Sequence, residues 1–530
     1  MACAHSARPP DFLPGTGPEF EQLPRPAAIG DSDSTPRCNR THRLPTLTTR
    51  HTRAHHVGPQ LPAVPRKALG SSNCRRPPLA ALSRSAQFST TAARDAAPKA
   101  PSGGSDNKQG HIRSGKRMVL AKFKKDKPIE KGRSPAPGER KALRKRITLS
   151  NDNAIAVPWL SDLTAADLAD PANAAKIMAL PVEVQDQLRA SEAFKPTQCW
   201  GMFRKPSLLV REETVDLANR MQASVDKKQT LRLVVTGDKL TGKSHMLLQA
   251  MAHAFINDWV VIHLPEAQDL TTACTEYSPI PNTDPVQYMQ PVYVLKLIQA
   301  IKKANEKVLS KTYTVTAHPE LPQNIGANTT LLTLLNAAKE PDAAWPVFQA
   351  FWNELTSTKA IGRPPILFSL DGLAHIMKIS DYRSPSYELI HSHDLALIRL
   401  FTDVLGGSAQ FPAGGAVLAA TSRNNAPRNP SMELALSQRE AEQTEGAEVP
   451  KKDPFLRTYD DRSEAVLRAV QVLRLKGISK REARGLMEYW AASGMLRASV
   501  DDKAVTEKWT LAGSGVLGEM ERATLLTMRL

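Results

Sequence analysis

Gly237, Asp238, Lys239, Leu240, Thr241, Gly242, Lys243 and Ser244 stand in the order Gly-x-x-x-x-Gly-Lys-Ser. Glycines at both ends of such a loop let the backbone curl closely round an anion, so that successive N–H groups and a helix N-terminus face phosphate. At this spacing Lys243 reaches the β- and γ-phosphates of a nucleotide and the Ser244 hydroxyl holds Mg²⁺, while His245 closes the cradle as the helix begins. The pattern reads phosphate and is blind to the base, so ATP and GTP/GDP are both compatible with it.

A phosphate-bound Mg²⁺ needs a further carboxylate from the end of a neighbouring strand. The apolar run 365–370 ends in Asp371, which is assigned to the metal together with Ser244. Chemistry beyond binding is thinly provided. Gly372 follows Asp371 where a hydrolytic AAA+ enzyme carries the glutamate that activates water, and no Asn-Lys-x-Asp guanine-reading motif occurs. Glu266, just past an apolar run at 259–264, is the remaining candidate for a general base. Thr421 or Ser422 falls where a γ-phosphate sensor would sit, or simply closes a strand. No arginine finger can be nominated from spacing, and no catalytic residue is assigned. The site is equipped to bind nucleotide and poorly equipped to turn it over.

The elements that must hold these residues are short apolar, β-branched runs at 231–236, 259–264, 365–370 and 416–422, with helices at 245–255 and 393–405 between them. Continuous apolar strands alternating with amphipathic helices predict an α/β fold with a parallel sheet covered on both faces. The nucleotide domain is placed at 231–423, behind a largely helical lead-in at 151–230 whose last helix is 213–224. Residues 265–345 read as an insertion in which Tyr277, Tyr288 and Tyr293 steady a loop before a helix at 292–309. The acidic, polar stretch 424–461 reads as a linker. Beyond it, 462–475 is expected to be one helix and 477–490 a second, with Ser479 as N-cap and Glu482 at the capping-box spacing. With Trp509 and a last helix these form a winged-helix-like small domain, 462–530. Lys480, Arg481 and Arg484 give it a candidate DNA-reading surface.

The 530 residues carry a net charge of +17, unevenly placed. Residues 1–150 hold 29 Lys/Arg against 10 Asp/Glu, and 151–530 hold 41 against 43. The folded part is therefore near neutral and the basicity belongs to the N-terminus. Within 1–94, the Arg- and Ser-rich, acid-free segment 80–94 reads as a mitochondrial transit segment with cleavage near Phe88 or Ser89. Residues 95–150 include fifteen Lys/Arg between Lys108 and Arg146, with Phe123 their only aromatic company. That composition suits phosphate neutralisation along RNA and not base stacking. No run approaches the ~18 apolar residues of a spanning helix, so no membrane insertion is expected. Cys3, Cys38, Cys74, Cys199 and Cys274 form no Cys-x-x-Cys pair, which excludes a zinc ribbon and a disulfide scaffold.

Arg204-Lys205-Pro206, the loop 237–244, the run from Asp258 and Trp259 to Pro265, Glu266 and Ala267, and Leu370-Asp371-Gly372 together resemble the death-associated protein family of mitochondrial ribosomes, over about residues 195–530. The resemblance implies a P-loop NTPase (AAA+-like) fold and a tightly held guanine or adenine nucleotide with Mg²⁺. Gly237, Lys243, Ser244 and Asp371 match the family's phosphate and metal positions. It also implies a structural place in the mitochondrial small ribosomal subunit near the intersubunit contacts. The partners it implies are small-subunit rRNA, neighbouring small-subunit proteins and large-subunit proteins across the interface. Two other readings compete: an active ATPase using the C-terminal domain on DNA or in signalling, and a switch GTPase, which lacks its guanine-reading motif.

Overall fold

The computed structural model describes residues 147–359, 362–423, 426–455 and 459–526. The transit segment and the basic extension up to residue 146 lie outside them, and the described residues belong to one of two compact units, Ser114–Leu530.

Five strands make the central sheet: β1 (Thr230–Gly237), β2 (Val260–Leu264), β3 (Ile366–Asp371), β4 (Gly415–Ala420) and β5 (Gln471–Leu475). They lie in the order β5-β1-β4-β3-β2 and every pair is parallel. The alternation of a strand sends successive side chains to opposite faces. Leu231, Leu233, Val235, Val261, Leu367, Ala416, Leu418 and Leu475 go to one core with the helices Val182–Ala190, Glu212–Asp226 and Lys243–Ile256. Val234, Val260, Ile262, Leu264, Phe368, Leu370, Val417 and Val472 go to the other, under Pro291–Ala304, Pro341–Leu355 and Ala396–Gly406. Phe368 shows how tightly that second core is filled, with Phe401 edge-on at 5.0 Å and Trp352 at 5.5 Å. Emptying such a site costs about 3–5 kcal/mol.

Both sheet edges are closed by side-chain amides. Beside β2, the Asn305 carboxamide accepts from the Val261 N–H (2.8 Å) and donates to the Val261 carbonyl (2.9 Å), as a sixth strand would. That engagement splits the helix expected at 292–309 into Pro291–Ala304 and Glu306–Leu309. Beside β5, the Val472 N–H donates to Gln443 Oε1 at 3.3 Å.

Several expectations change. The stretch 462–475 is not one helix: Asp461–Leu467 is helical and Gln471–Leu475 is β5, drawn out straight by pairing with β1. The domain built on the central sheet thus extends past 423. The stretch 424–461 is more than a linker, because Pro430–Gln443 is a helix capped by Asn429, and its Met432, Ala435 and Leu436 are buried against the core. The lead-in holds two helices, but also an antiparallel pair, Ile177–Ala179 with Ser207–Leu209. Of the tyrosines of 265–345, Tyr277 does brace a loop, lying 4.7 Å from Tyr382 with its hydroxyl donating to the Arg383 carbonyl at 2.6 Å, whereas Tyr293 lies inside the helix Pro291–Ala304 and is buried in the core.

The C-terminal residues form the helices Lys480–Ala492, Asp502–Leu511 and Leu517–Glu521. Trp509 lies inside the second, so no β-hairpin wing forms among the described residues and the small domain is helical. Its first helix begins with the expected capping box: Ser479 Oγ accepts from the Glu482 N–H (3.3 Å), and Glu482 Oε2 accepts from the Ser479 N–H (2.7 Å). Ile177 and Leu209 of the lead-in are buried with Ile478, Leu486, Met487 and Trp490 in a third core. Among the described residues no helix is long and apolar enough to cross a membrane.

Candidate nucleotide site

The loop 237–244 runs from the C-terminal end of β1, an interior strand of the sheet, into the helix Lys243–Ile256. Gly237 has φ +143°, and a Cβ there would stand 2.6 Å from the Leu475 carbonyl oxygen of β5. Glycine is required at that position by the neighbouring strand as well as by any phosphate. Asp238 and Lys239 are exposed at the loop tip, and the Thr241 hydroxyl folds back to donate to the Asp238 carbonyl at 2.9 Å. Lys243 is buried, and its ammonium donates to the carbonyls of Gly237 (3.0 Å) and Asp238 (2.5 Å). Burial first, then the Arg423 guanidinium, push that ammonium down to about 8. An arriving phosphate oxygen offers a stronger acceptor than two carbonyls, and negative charge there keeps the lysine protonated.

Asp371 ends β3, one strand away from β1 across β4, with Ala420 in register with both Val235 and Asp371. Its carboxylate is paired with the ammonium of Lys195, which also donates to Ser244 Oγ at 3.3 Å. Burial alone would raise the Asp371 pKa, but the charge and hydrogen bond of Lys195, the Ser244 hydroxyl and His263 outweigh it and hold the carboxyl below its ordinary range. Ser244 and Asp371 therefore stand beside one cation, the ammonium of Lys195. The oxygen donors suit Mg²⁺, provided that Lys195 yields its place. Gly372 has φ +92°, a left-handed conformation that a glutamate would enter only with strain.

Other predicted residues take plainer roles. The Thr421 hydroxyl donates to the Val235 carbonyl at 3.3 Å, tying β4 to β1. Glu266 follows β2, beside Ala267, whose N–H donates to the Asp371 carbonyl at 3.0 Å. His245 stacks on Trp200 (5.7 Å, 24°), and burial, then the charge of Arg211, lowers its pKa to about 4. On the proposed DNA-reading helix, Arg484 is paired with Glu488 (2.9 Å) and Asp502 (2.5 Å), and the Lys480 ammonium sits over the Trp509 ring at 5.3 Å.

Spacing alone did not reveal Lys195, Arg211, Trp200 or Arg423. Arg211 is buried behind the loop and donates to the carbonyls of Thr241 (3.1 Å) and Lys476 (3.1 Å), fixing the loop to the chain after β5. Arg423 approaches Asp238 at 3.8 Å from the far side. The small domain meets the same loop, with the Gly518 N–H donating to the Leu240 carbonyl at 3.0 Å.

The profile of the family described as mitochondrial ribosomal death-associated protein 3 matches residues 208–523, which include every one of these loop and strand residues except Lys195 and Trp200. The small ribosomal subunit protein mS29 of Neurospora crassa is 58% identical over 442 residues, covering 83% of this chain and 93% of that protein. The mS29 protein of Schizosaccharomyces pombe is 26% identical over 333 residues, 62% of this chain and 67% of its own length. The chain belongs to the mitochondrial ribosomal death-associated protein 3 family.

Proposed function

We propose that this protein is a structural component of the mitochondrial small ribosomal subunit that holds a purine nucleotide with Mg²⁺ as part of its fold, near the contacts between the subunits. The observation that carries the nucleotide reading is the convergence of Lys243, Ser244 and Asp371 at the ends of β1 and β3, below a loop whose Gly237 admits no side chain. The ribosomal reading rests on family membership and on the small-subunit name of the Neurospora crassa relative.

In this reading the loop N–H groups and the N-terminus of the helix Lys243–Ile256 receive the phosphates, with Lys243 turning from its two carbonyls to a phosphate oxygen. Ser244 and Asp371 are the residues that would hold Mg²⁺, whose contribution is to neutralise charge between the phosphates. Arg211, ahead of the helix Glu212–Asp226, and Gly518 of the small domain brace the loop, so a bound nucleotide ties three parts of the chain together. A ligand held at a thousand times its dissociation constant adds about 4 kcal/mol to native stability by mass action. Gly372 supports binding without efficient turnover, since the position offers no carboxylate to activate water. Small-subunit rRNA, reached through the basic extension 95–150, neighbouring small-subunit proteins and large-subunit proteins across the interface are the partners of this reading. The DNA-binding ATPase alternative is disfavoured by Arg484, whose charge is already spent on Glu488 and Asp502.

Sedimentation of a mitochondrial lysate through a high-salt sucrose gradient tests the assignment. Co-migration with small-subunit rRNA is expected. Migration near the top of the gradient sinks the ribosomal reading and favours a free ATPase.

A further inference from the structure

Lys195 is 176 residues away from Asp371 in sequence, yet its ammonium pairs with that carboxylate and donates to Ser244 Oγ at 3.3 Å. The backbone that delivers it is fixed. Phe194 is buried edge-on against Trp200 (5.2 Å), the Lys195 N–H donates to Gln198 Oε1 (2.9 Å), and the Trp200 indole N–H donates to the same oxygen (2.6 Å). The lysine side chain is not sealed in: 28% of it is exposed, while Asp371 is only 4% exposed. An anchored backbone with a partly free four-carbon stem can move its charge by several ångströms without moving the fold.

We infer that Lys195 is a built-in cation of the nucleotide site, one that takes the metal's place between Ser244 and Asp371 and competes with Mg²⁺ for it. The inference rests on the nucleotide reading above and adds a metal-independent mode of binding to it. The charge distribution supports this. Lys195, Lys243 and Arg423 converge on the loop, and the acids set against them are buried Asp371 and exposed Asp238. Phosphates entering the loop therefore meet positive charge before any metal arrives. With Mg²⁺ held by Ser244 and Asp371, Lys195 would leave both oxygens and turn outward along its partly exposed stem. The metal gains one contact at the expense of another, so its net effect on nucleotide affinity is small.

The test is a titration of the full-length chain, first stripped of any nucleotide it carries, with the fluorescent probes MANT-GDP and MANT-ADP, each in excess Mg²⁺ and in EDTA. For the tighter probe, wild type is expected to keep its affinity within about threefold on removal of Mg²⁺. Lys195→Met is expected to lose about tenfold or more in EDTA, to recover in Mg²⁺, and to reach half-saturation at a lower Mg²⁺ concentration than wild type. Lys195→Arg, which keeps the charge, should behave as wild type. If wild type itself loses tenfold or more in EDTA, Lys195 is not a working substitute for the metal and the inference fails, even if Lys195→Met does not fold. If neither probe binds wild type in either buffer, or if Lys243→Ala binds equally well, the nucleotide reading falls and this inference with it.

Discussion

Two buried carboxylates in this chain are each paired with a cation, and they are surrounded very differently. Glu354 and Arg363 meet at 2.6 Å with side chains 1% and 4% exposed. The same carboxylate accepts from the N–H groups of Val315 and Thr316 (2.9 Å each), from the Thr316 hydroxyl and from His318 Nε2 (3.2 Å). Asp371 sits nearly as deep, but its hydrogen-bond partners are a partly exposed lysine and a serine hydroxyl, both able to take other partners. A carboxylate saturated by backbone and a fixed guanidinium pins a loop. A carboxylate neutralised by one movable cation keeps a place for a ligand. Burial and an ion pair are common to both, so neither identifies a site; the exchangeability of the partners does.

The largest expected effect breaks the closed pair. Glu354→Ala leaves Arg363 buried without its counter-charge and strips two N–H groups of their acceptor. A loss of about 3–5 kcal/mol in urea unfolding is expected, and a loss under 1 kcal/mol would contradict the structural role. Lys243→Ala acts on the other side of the comparison. Removing a charged donor worth about 1.5–3 kcal/mol should weaken MANT-nucleotide binding by about 10- to 100-fold, with unfolding of the nucleotide-free chain within about 1 kcal/mol of wild type.

Acid distinguishes groups fixed by burial from those held by charge. His245 and His253 are lowered from 6.5 to about 4 and His393 to about 3, in each case first by burial. Their folded pKa values are depressed, so their contribution is complete above pH 6.5 and is lost as the unfolded chain takes up protons the folded chain refuses. Each should cost about 1.4 kcal/mol per pH unit below that point. Urea midpoints at pH 7.5, 6 and 5 should fall progressively, and a flat profile would overturn the assignment. Glu354, whose carboxyl is held low by its hydrogen bonds against the opposing effect of burial, adds to the acid loss only where it begins to protonate. The smallest effect serves as a control that belongs to neither pair: Ser479→Ala should cost about 1 kcal/mol through its lost cap and leave nucleotide affinity unchanged. A change in affinity as large as that of Lys243→Ala would mean the small domain controls the loop directly.

What the sequence made legible is what neighbouring residues dictate. The loop 237–244, the strands β1 to β4 and the Ser479–Glu482 box all follow from spacing within a dozen positions, and the structure brings Ser244 and Asp371 together. Less was legible where long-range pairing decides. Residues 471–475 carry apolar side chains that fit either period, and only the exposed edge of β1 draws them into β5. The helix Pro430–Gln443 buries few apolar residues, though Asn429 before Pro430 was a usable start signal. Nothing local connects Lys195 with Asp371, and a single lysine near Gln198 and Trp200 has no spacing that marks it.

The central claim, that Lys243, Ser244 and Asp371 hold a nucleotide as part of the fold, is tested most directly by what the purified chain carries. Acid extraction followed by anion-exchange chromatography is predicted to release close to one purine nucleotide per wild-type chain and very little from Lys243→Ala. Equal amounts from both proteins, or none from wild type, would contradict it.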